Sequence, residues 1–179
     1  MSAERPCMTV VRLPLAELNK MDQSSFISHL GWVYENSSWV AESAWKHRPF
    51  ATVEDLHATM EMVVRSATGE KQLALIQAHP DLAVRFGQVG QLTNASRREQ
   101  ADAGLNQLTP TQAAEMALNN ACYRDKFGFP FIICARLNNI EMIREAFSNR
   151  LDNHREKELE IALGEITKIG RLRLADAIL

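Results

Sequence analysis

The sequence predicts an all-α protein that folds as a single-domain bundle of about seven to nine helices. Two observations favour this class: apolar residues recur three and four positions apart through most of the chain, and helix-capping residues precede several of these stretches. Strand signals are nearly absent, since residues 131–135 form the only β-like run. We therefore expect one domain over residues 1–179, with an extended segment near 129–135 among the helices.

The first half of the chain predicts a loosely attached lead-in and four helices. The lead-in covers residues 1–12, and three of the expected helices cover residues 23–35, 52–69 and 70–78. A short helix with Trp39, Ala44 and Trp45 is expected after the first of these and stops before Pro49. Thr52 and Asp55 form a variant capping box at the start of the third helix, and Gly69 is expected to close it. The fourth helix ends at His79, because a proline disfavours the helical conformation in the residue before it.

The second half predicts a loop and four more helices. The loop covers residues 84–95 and is marked by Phe86, Gly87, Gly90, Thr93 and Asn94. The helices are expected over residues 96–104, 110–126, 139–151 and 155–177. Thr109 is an N-cap followed by a proline at the first helical position, which is typical of a helix start. The last helix carries the apolar stripe Leu159, Leu163, Ile166 and Ile169.

Composition excludes several classes of function. The net charge is −2, so no general basic field exists to bind a nucleic acid or an anionic membrane. No apolar run is long enough for a signal peptide or a membrane span. Three cysteines without CxxC spacing argue against a disulfide framework and favour a reducing compartment. We expect a cytoplasmic protein, and the C-terminal Ala177-Ile178-Leu179 is no peroxisomal tripeptide.

The standard motifs of metal, nucleotide and hydrolase sites are missing. The five histidines form no HxH or HExxH arrangement, and no GxSxG, Walker or GxGxxG motif occurs. We therefore expect no metal site. His79 is still of interest, because the rigid proline after it holds its imidazole at a helix exit. The histidine is either a helix terminator bonded to a nearby carbonyl or a general acid that titrates near neutral pH.

Two further segments have both a structural and a functional interpretation. Ser96 and Glu99 fit a capping box, yet the amides of that first turn and Gln100 are also suited to bind an anionic group. The segment 127–136 is either a buried connector or a binding segment. Its extended backbone has amides and carbonyls that no helix uses, and these groups must find partners.

In order and spacing, these segments resemble the 2-oxo-4-hydroxy-4-carboxy-5-ureidoimidazoline (OHCU) decarboxylase family over about residues 13–176. The motifs that carry the resemblance are Leu-Gly-x-Val-Tyr-Glu (30–35), Arg-Pro-Phe (48–50), His-Pro-Asp-Leu (79–82), Ser-x-x-Glu-Gln (96–100) with Ala-Gly-Leu (103–105), Lys-Phe-Gly-Phe-Pro-Phe-Ile (126–132) and Arg-Leu-Arg-Leu (171–174). Ser37-Ser38-Trp39 departs from the expected serine-proline-tryptophan. The missing peroxisomal tripeptide is a second departure, from the animal and plant members, and it suggests a bacterial enzyme or one domain of a larger product.

The resemblance implies a cofactor-free, homodimeric lyase of urate catabolism that forms (S)-allantoin from a ureidoimidazoline. It implies catalytic roles for His79, the acid–base residue, and for Glu99. The implied substrate-binding residues are Pro80, Ser96, Arg97, Arg98, Glu99, Gln100, Phe131, Ile132, Ile133, Cys134, Ala135 and Arg173. Arg171 is the alternative to Arg173 as the cation from the last helix.

Two rival functions remain at this point. A hydrolase or isomerase acting on a related ureide would use the same residues without releasing CO2. A helical interaction module without catalysis would instead present its apolar stripes and residues 127–131 to a partner protein, and it would expose a large apolar patch.

Overall fold

Nine α-helices follow one another along the part of the chain that the structure describes. The computed structural model describes residues 11–83 and 92–179. The helices in these ranges are α1 (Leu15–Leu18), α2 (Gln23–Leu30), α3 (Trp39–Trp45), α4 (Val53–Arg65), α5 (Gly69–Gln77), α6 (Asn94–Asp102), α7 (Pro110–Phe127), α8 (Ile140–Leu151) and α9 (Arg155–Ala177). No strand occurs in the described ranges, so the predicted all-α class is confirmed.

Some of the predicted features lie outside the described residues. They are Cys7 and most of the lead-in, and Phe86, Gly87 and Gly90 of the predicted loop. The other end of that loop is described, and there α6 begins at Asn94, two residues before the predicted start.

Side-chain caps start several helices where the sequence predicts them. Thr52 and Asp55 form the expected capping box of α4, and Thr109 forms one with Gln112 at the start of α7. The role predicted for Gly69 is wrong, because α4 already ends at Arg65 and Gly69 is the first residue of α5. The side chain of Thr68 accepts a backbone hydrogen bond there and caps the new helix.

The second helix is shorter than predicted. It ends at Leu30, and residues 31–38 form turns that lead into α3. A Cβ atom at Gly31 would lie only 2.6 Å from the carbonyl oxygen of Ile27, so the close approach of the chain here requires glycine. These turns bury Val33, Tyr34 and Glu35. A charged side chain thereby enters the interior from a segment that has no helical periodicity.

The last helix, α9, lies against α2, α4 and α5. Its predicted stripe faces the core: Leu163, Ile166 and Ile169 are buried, and Leu159 is half-buried. Arg173 lies four residues beyond Ile169 on the same face and is 1% exposed. The long helix therefore carries a guanidinium into the interior on its apolar side.

The extended segment predicted near 129–135 is present from Phe129 to Cys134, and a 3-10 turn follows at Ala135–Leu137. Gly128 closes α7 in the left-handed conformation with φ 80°. Phe131 stacks on Phe147 at a ring-centroid distance of 3.7 Å. The segment is thus packed into the core, although it pairs with no strand in the described ranges.

The two ends of the described chain meet. Leu13 and Ile178 form an isolated bridge, and the side chain of Arg12 donates to the carbonyl of Ile178 at 2.7 Å. The lead-in is therefore attached at residue 12, which corrects the expectation of a loose segment up to that point. Among the described helices, none combines the length and apolar character that crossing a membrane requires.

Candidate active site

A cavity lies where α5, α6, α9 and the extended segment meet. Of the residues predicted to form a site, those that line the cavity are His79, Pro80, Ser96, Glu99, Gln100, Phe131, Ile132, Ile133, Ala135 and Arg173. Residues far apart in the sequence are therefore brought together around one space.

His79 presents one bound and one unbound ring nitrogen. Its Nδ1 lies 2.9 Å from the carbonyl oxygen of Leu75. A carbonyl can only accept, so Nδ1 carries the proton in this hydrogen bond. Nε2 is buried and has no hydrogen-bond partner among the described residues. The histidine thus does bond a nearby carbonyl as the structural interpretation requires, and it still keeps one nitrogen for other chemistry.

The resting imidazole is neutral. Burial lowers the pKa of His79 to about 4, and Arg173 adds to this effect. The Leu75 carbonyl and the charge of Glu35 oppose the shift only in part. At neutral pH the free Nε2 is consequently an unprotonated acceptor.

Arg173 is held by two carboxylates. Its Nε and Nη2 donate to the two oxygens of Glu99 at 2.8 and 2.7 Å, which is a bidentate pair. Its Nη1 donates to Glu35 Oε2 at 2.9 Å, and Nη2 also reaches Ser96 Oγ at 3.1 Å. The guanidinium is therefore fixed in orientation as well as in position.

The buried carboxylate of Glu35 keeps its charge because of this arginine. Burial by itself would raise the pKa of Glu35, but the charge of Arg173 and the nearby hydroxyls of Thr93 and Ser96 bring it below its ordinary value. Burial would likewise lower the pKa of Arg173, and its contacts with Glu99 and Glu35 raise it instead. The cluster is an ionic one.

Ser96 does not start its helix. The N-cap of α6 is Thr93, whose hydroxyl accepts from the Ser96 amide at 3.2 Å, so the predicted Ser96–Glu99 capping box is wrong. The Ser96 hydroxyl is free for another contact and donates to Glu35 Oε2 at 2.8 Å. Because the helix begins two residues earlier than expected, the side chains of Ser96 and Glu99 both reach Arg173.

Gln100 ties the chain after His79 to α6. Its amide oxygen accepts from the Ala83 amide at 2.9 Å, and its amide nitrogen donates to the Asp81 carbonyl at 3.2 Å. Both ends of the side chain are thereby engaged with backbone. Gln100 holds the segment beyond Pro80 against the cavity wall.

The extended segment is held from its far side. Arg150 Nη1 donates to the carbonyl of Ile132 at 2.7 Å, and Glu165 accepts from the amide of Cys134 at 2.7 Å. In an extended chain, successive residues direct their backbone groups to opposite sides. Ile133 lies between these two bound residues and lines the cavity.

Residues 19–175 match the protein-family model for OHCU decarboxylase. The chain belongs to this family. The OHCU decarboxylase of Halalkalicoccus jeotgali is 40% identical over 167 residues, which cover 93% of each chain.

Two solved structures resemble the fold. A crystal structure of (S)-allantoin synthase matches with a TM-score of 0.76 at 27% identity. The match covers 93% of this chain and 54% of the chain in that crystal structure. A crystal structure of OHCU decarboxylase in the presence of (S)-allantoin matches with a TM-score of 0.64 at 28% identity, covering 80% of this chain and 92% of that one.

Three residues predicted to belong to this OHCU decarboxylase site do not line the cavity. Arg97 and Arg98 lie on the exposed side of α6. Cys134 is buried, and its amide is bound by Glu165 on the far side of the segment. Helical geometry explains the two arginines, because they follow Ser96 by about 100° and 200° of rotation around the axis, whereas Glu99 returns towards its face.

Three residues near the site were not predicted. Leu82 and Ile169 line the cavity, and Glu35 bonds to two of its residues. Ile169 was recognised only as a core residue. Its spacing to Arg173 is a signal that favours Arg173 over Arg171, and the structure agrees, since Arg171 is exposed. Glu35 gave no periodic signal because it lies in a turn.

Metal-binding side chains do not cluster in the described ranges. No group of three or more histidine, cysteine, aspartate or glutamate residues there has the geometry to hold a metal ion. The expectation that this decarboxylase family member needs no cofactor stays a prediction.

Proposed function

We propose that the chain is a cofactor-free carboxy-lyase that converts OHCU to (S)-allantoin and CO2 in urate catabolism. One observation carries the proposal: a chain that matches the OHCU decarboxylase family over residues 19–175 has a cavity lined by a fixed guanidinium and by an imidazole nitrogen that no described residue binds. The names of the relatives given above, OHCU decarboxylase and (S)-allantoin synthase, support the same reaction.

The substrate supplies its own electron sink. The bond between the ring carbon and its carboxylate breaks, CO2 leaves, and the electron pair moves into the adjacent C=N unit. The nitrogen that receives the pair takes up a proton. The hydroxyl on the same carbon then becomes the carbonyl of allantoin as its proton leaves, and the neighbouring ring carbon gains a proton.

We assign the transfer of the hydroxyl proton to His79. Because burial brings its pKa to about 4, Nε2 is unprotonated at rest and accepts a proton before it donates one. It takes the hydroxyl proton and delivers it to the ring carbon. Delivery from one fixed nitrogen reaches one face of the ring, which accounts for a single enantiomer.

The charged cluster is proposed to bind the polar groups of the substrate. The N–H groups of Arg173 already bond to Glu99, Glu35, Ser96 and two backbone carbonyls, so Arg173 would act on the substrate through its fixed positive charge, which needs little reorganisation. Ser96 lies beside it with its proton on Glu35 and would present its oxygen to the substrate. The backbone groups of Ile133 are suited to the ureido group or the ring amide. Glu99 would orient the substrate hydroxyl or a ring N–H.

Two further properties are proposed from the family resemblance. We expect the protein to act as a homodimer in the cytoplasm, with no nucleic-acid or membrane partner. A mass measurement in solution at micromolar concentration tests the dimer, and a monomer would contradict it.

The proposed reaction is tested by following the circular dichroism of allantoin formed from freshly generated OHCU. Wild-type protein is expected to produce one-handed allantoin quickly and to release CO2. His79→Asn should lower the rate by about 10²–10⁴-fold, as typical for loss of a positioned acid–base group. The control is His47→Asn, which replaces an exposed histidine and should leave the rate unchanged.

The outcomes separate the rival functions. OHCU is expected to decay to racemic allantoin without an enzyme, so a slow and optically silent conversion with wild-type protein would refute the proposal. Turnover of a related ureide without CO2 would favour the hydrolase or isomerase. If the wild type turns over OHCU and His79→Asn is equally active, only the role of His79 is refuted and the reaction stands.

A further inference from the structure

Glu35 is a buried carboxylate beside the cavity to which the proposed reaction assigns no chemical step. It lies in the connection between α2 and α3 and is 1% exposed. Its Oε2 accepts from Ser96 Oγ at 2.8 Å and from Arg173 Nη1 at 2.9 Å. Its Oε1 is buried without a hydrogen-bond partner among the described residues. Only one of the two carboxylate oxygens, Oε2, therefore bonds to the groups that hold Glu35 in place.

The charges around His79 do not cancel. In the described part of the chain they are Glu35, Glu99 and Arg173, while Asp81 is paired elsewhere. Two carboxylates share one guanidinium, so this cluster has a net charge of −1 beside a neutral imidazole. Glu99 places both oxygens on Arg173, whereas Glu35 places only one there. The charge of Glu35 is thus the less neutralised of the two.

We propose, on the basis of the decarboxylation proposed above, that Glu35 is a positioning residue for His79. It holds Arg173 and Ser96 through Oε2, and its remaining negative charge stabilises the imidazolium that forms when Nε2 takes the substrate proton. Glu35 exchanges no proton itself: the proton moves from the substrate oxygen to Nε2 and then to the ring carbon.

The physical reason is the cost of a cation in a buried site. An imidazolium in a low-dielectric environment is strongly disfavoured unless a negative charge is near it. Arg173 opposes the protonation of His79, while Glu35 favours it. Without the charge of Glu35, the intermediate with a protonated imidazole would form less often in each turnover.

Glu35→Gln removes the negative charge and keeps the hydrogen bonds to Ser96 and Arg173. The amide oxygen of glutamine can accept from Ser96 and Arg173 as Oε2 does, but the side chain is neutral. We expect kcat to fall about 10- to 100-fold, with KM changed less than threefold. The control is Glu158→Gln, which neutralises another buried carboxylate, bonded to Tyr123 and Arg150. It should not reproduce this pattern.

A double-mutant cycle tests whether Glu35 acts through His79. In the His79→Asn background no imidazolium forms, so Glu35→Gln should lower the remaining rate less than threefold. If Glu35→Gln lowers kcat by the same factor in both backgrounds, the proposal is overturned. It is also overturned if the wild type turns over substrate and Glu35→Gln alone leaves kcat unchanged. Absence of turnover in the wild type would instead refute the proposed function.

Folding of each variant is checked by far-ultraviolet circular dichroism. Should Glu35→Gln fail to fold, Glu35→Asp replaces it in the same cycle, because aspartate keeps the charge and shortens its reach. Its effect on kcat is expected to be larger when His79 is present than in the His79→Asn background. An equal effect in both would overturn the proposal.

Discussion

Acidification from pH 7 to pH 5 should weaken the native state through His79. The side chain is buried, with a folded pKa of about 4 against an ordinary value of 6.5. Between these values the unfolded chain binds a proton that the native protein does not, so unfolding becomes easier as the pH falls. The stabilising difference is fully present above the unfolded pKa and is lost progressively towards the folded one.

The size of the effect follows from the same two values. Each pH unit inside the window costs about 1.4 kcal/mol, so the loss from pH 7 to pH 5 is about 2 kcal/mol. A typical domain has only about 5–15 kcal/mol of stability, so this loss is measurable. Glu35 acts in a different window: its folded pKa is below its ordinary value of 4.5, so its contribution is lost only at lower pH.

Urea unfolding followed by far-ultraviolet circular dichroism measures this loss. Wild type should lose about 2 kcal/mol more than His79→Asn between pH 7 and pH 5. The exposed His47→Asn variant should follow the wild type. The other histidines contribute equally to wild type and His79→Asn, so the comparison isolates His79. Parallel curves for these two proteins would refute the argument that burial keeps the imidazole neutral.

Two substitutions of buried arginines test the polar interior. Arg173→Lys keeps the charge but cannot form two parallel hydrogen bonds to Glu99, so the decarboxylation rate should fall by about tenfold or more. The rate is measured as allantoin formed, and an unchanged rate would contradict the role of the guanidinium. Arg150→Leu removes the donor to Ile132 and leaves Glu158 unpaired, which should cost about 3–5 kcal/mol in urea unfolding. The exposed Arg144→Leu should cost about 1 kcal/mol or less.

Most of the helices could be predicted from the sequence, because their signals are local. The caps at Thr52 and Thr109 and the stripe along α9 need only neighbouring residues to be recognised. The errors came where two capping residues compete. Thr93 and Ser96 are both suitable N-caps, and the sequence favoured Ser96 because of the glutamate three positions later. Gly69 was read as a helix end although Thr68 starts a new helix.

The site residues could be selected through motifs, although their contacts could not. Helical rotation separates Ser96 and Glu99, which line the cavity, from the two exposed arginines between them, which do not. Whether His79, Glu99 and the others carry the proposed roles stays a prediction until the variants are measured.

The sequence by itself determined the all-α class, the position of most helices and the family to which the chain belongs, because periodicity, caps and motifs are properties of short segments. Only the tertiary structure decided that Arg173 is a buried cation of the cavity, that Glu35 joins it from a turn, and that Nε2 of His79 has no partner among the described residues. The physical reason is that a charge or a pKa inside a protein depends on groups brought close by packing. Glu35 and Arg173 are 138 residues apart in the chain and 2.9 Å apart in the fold.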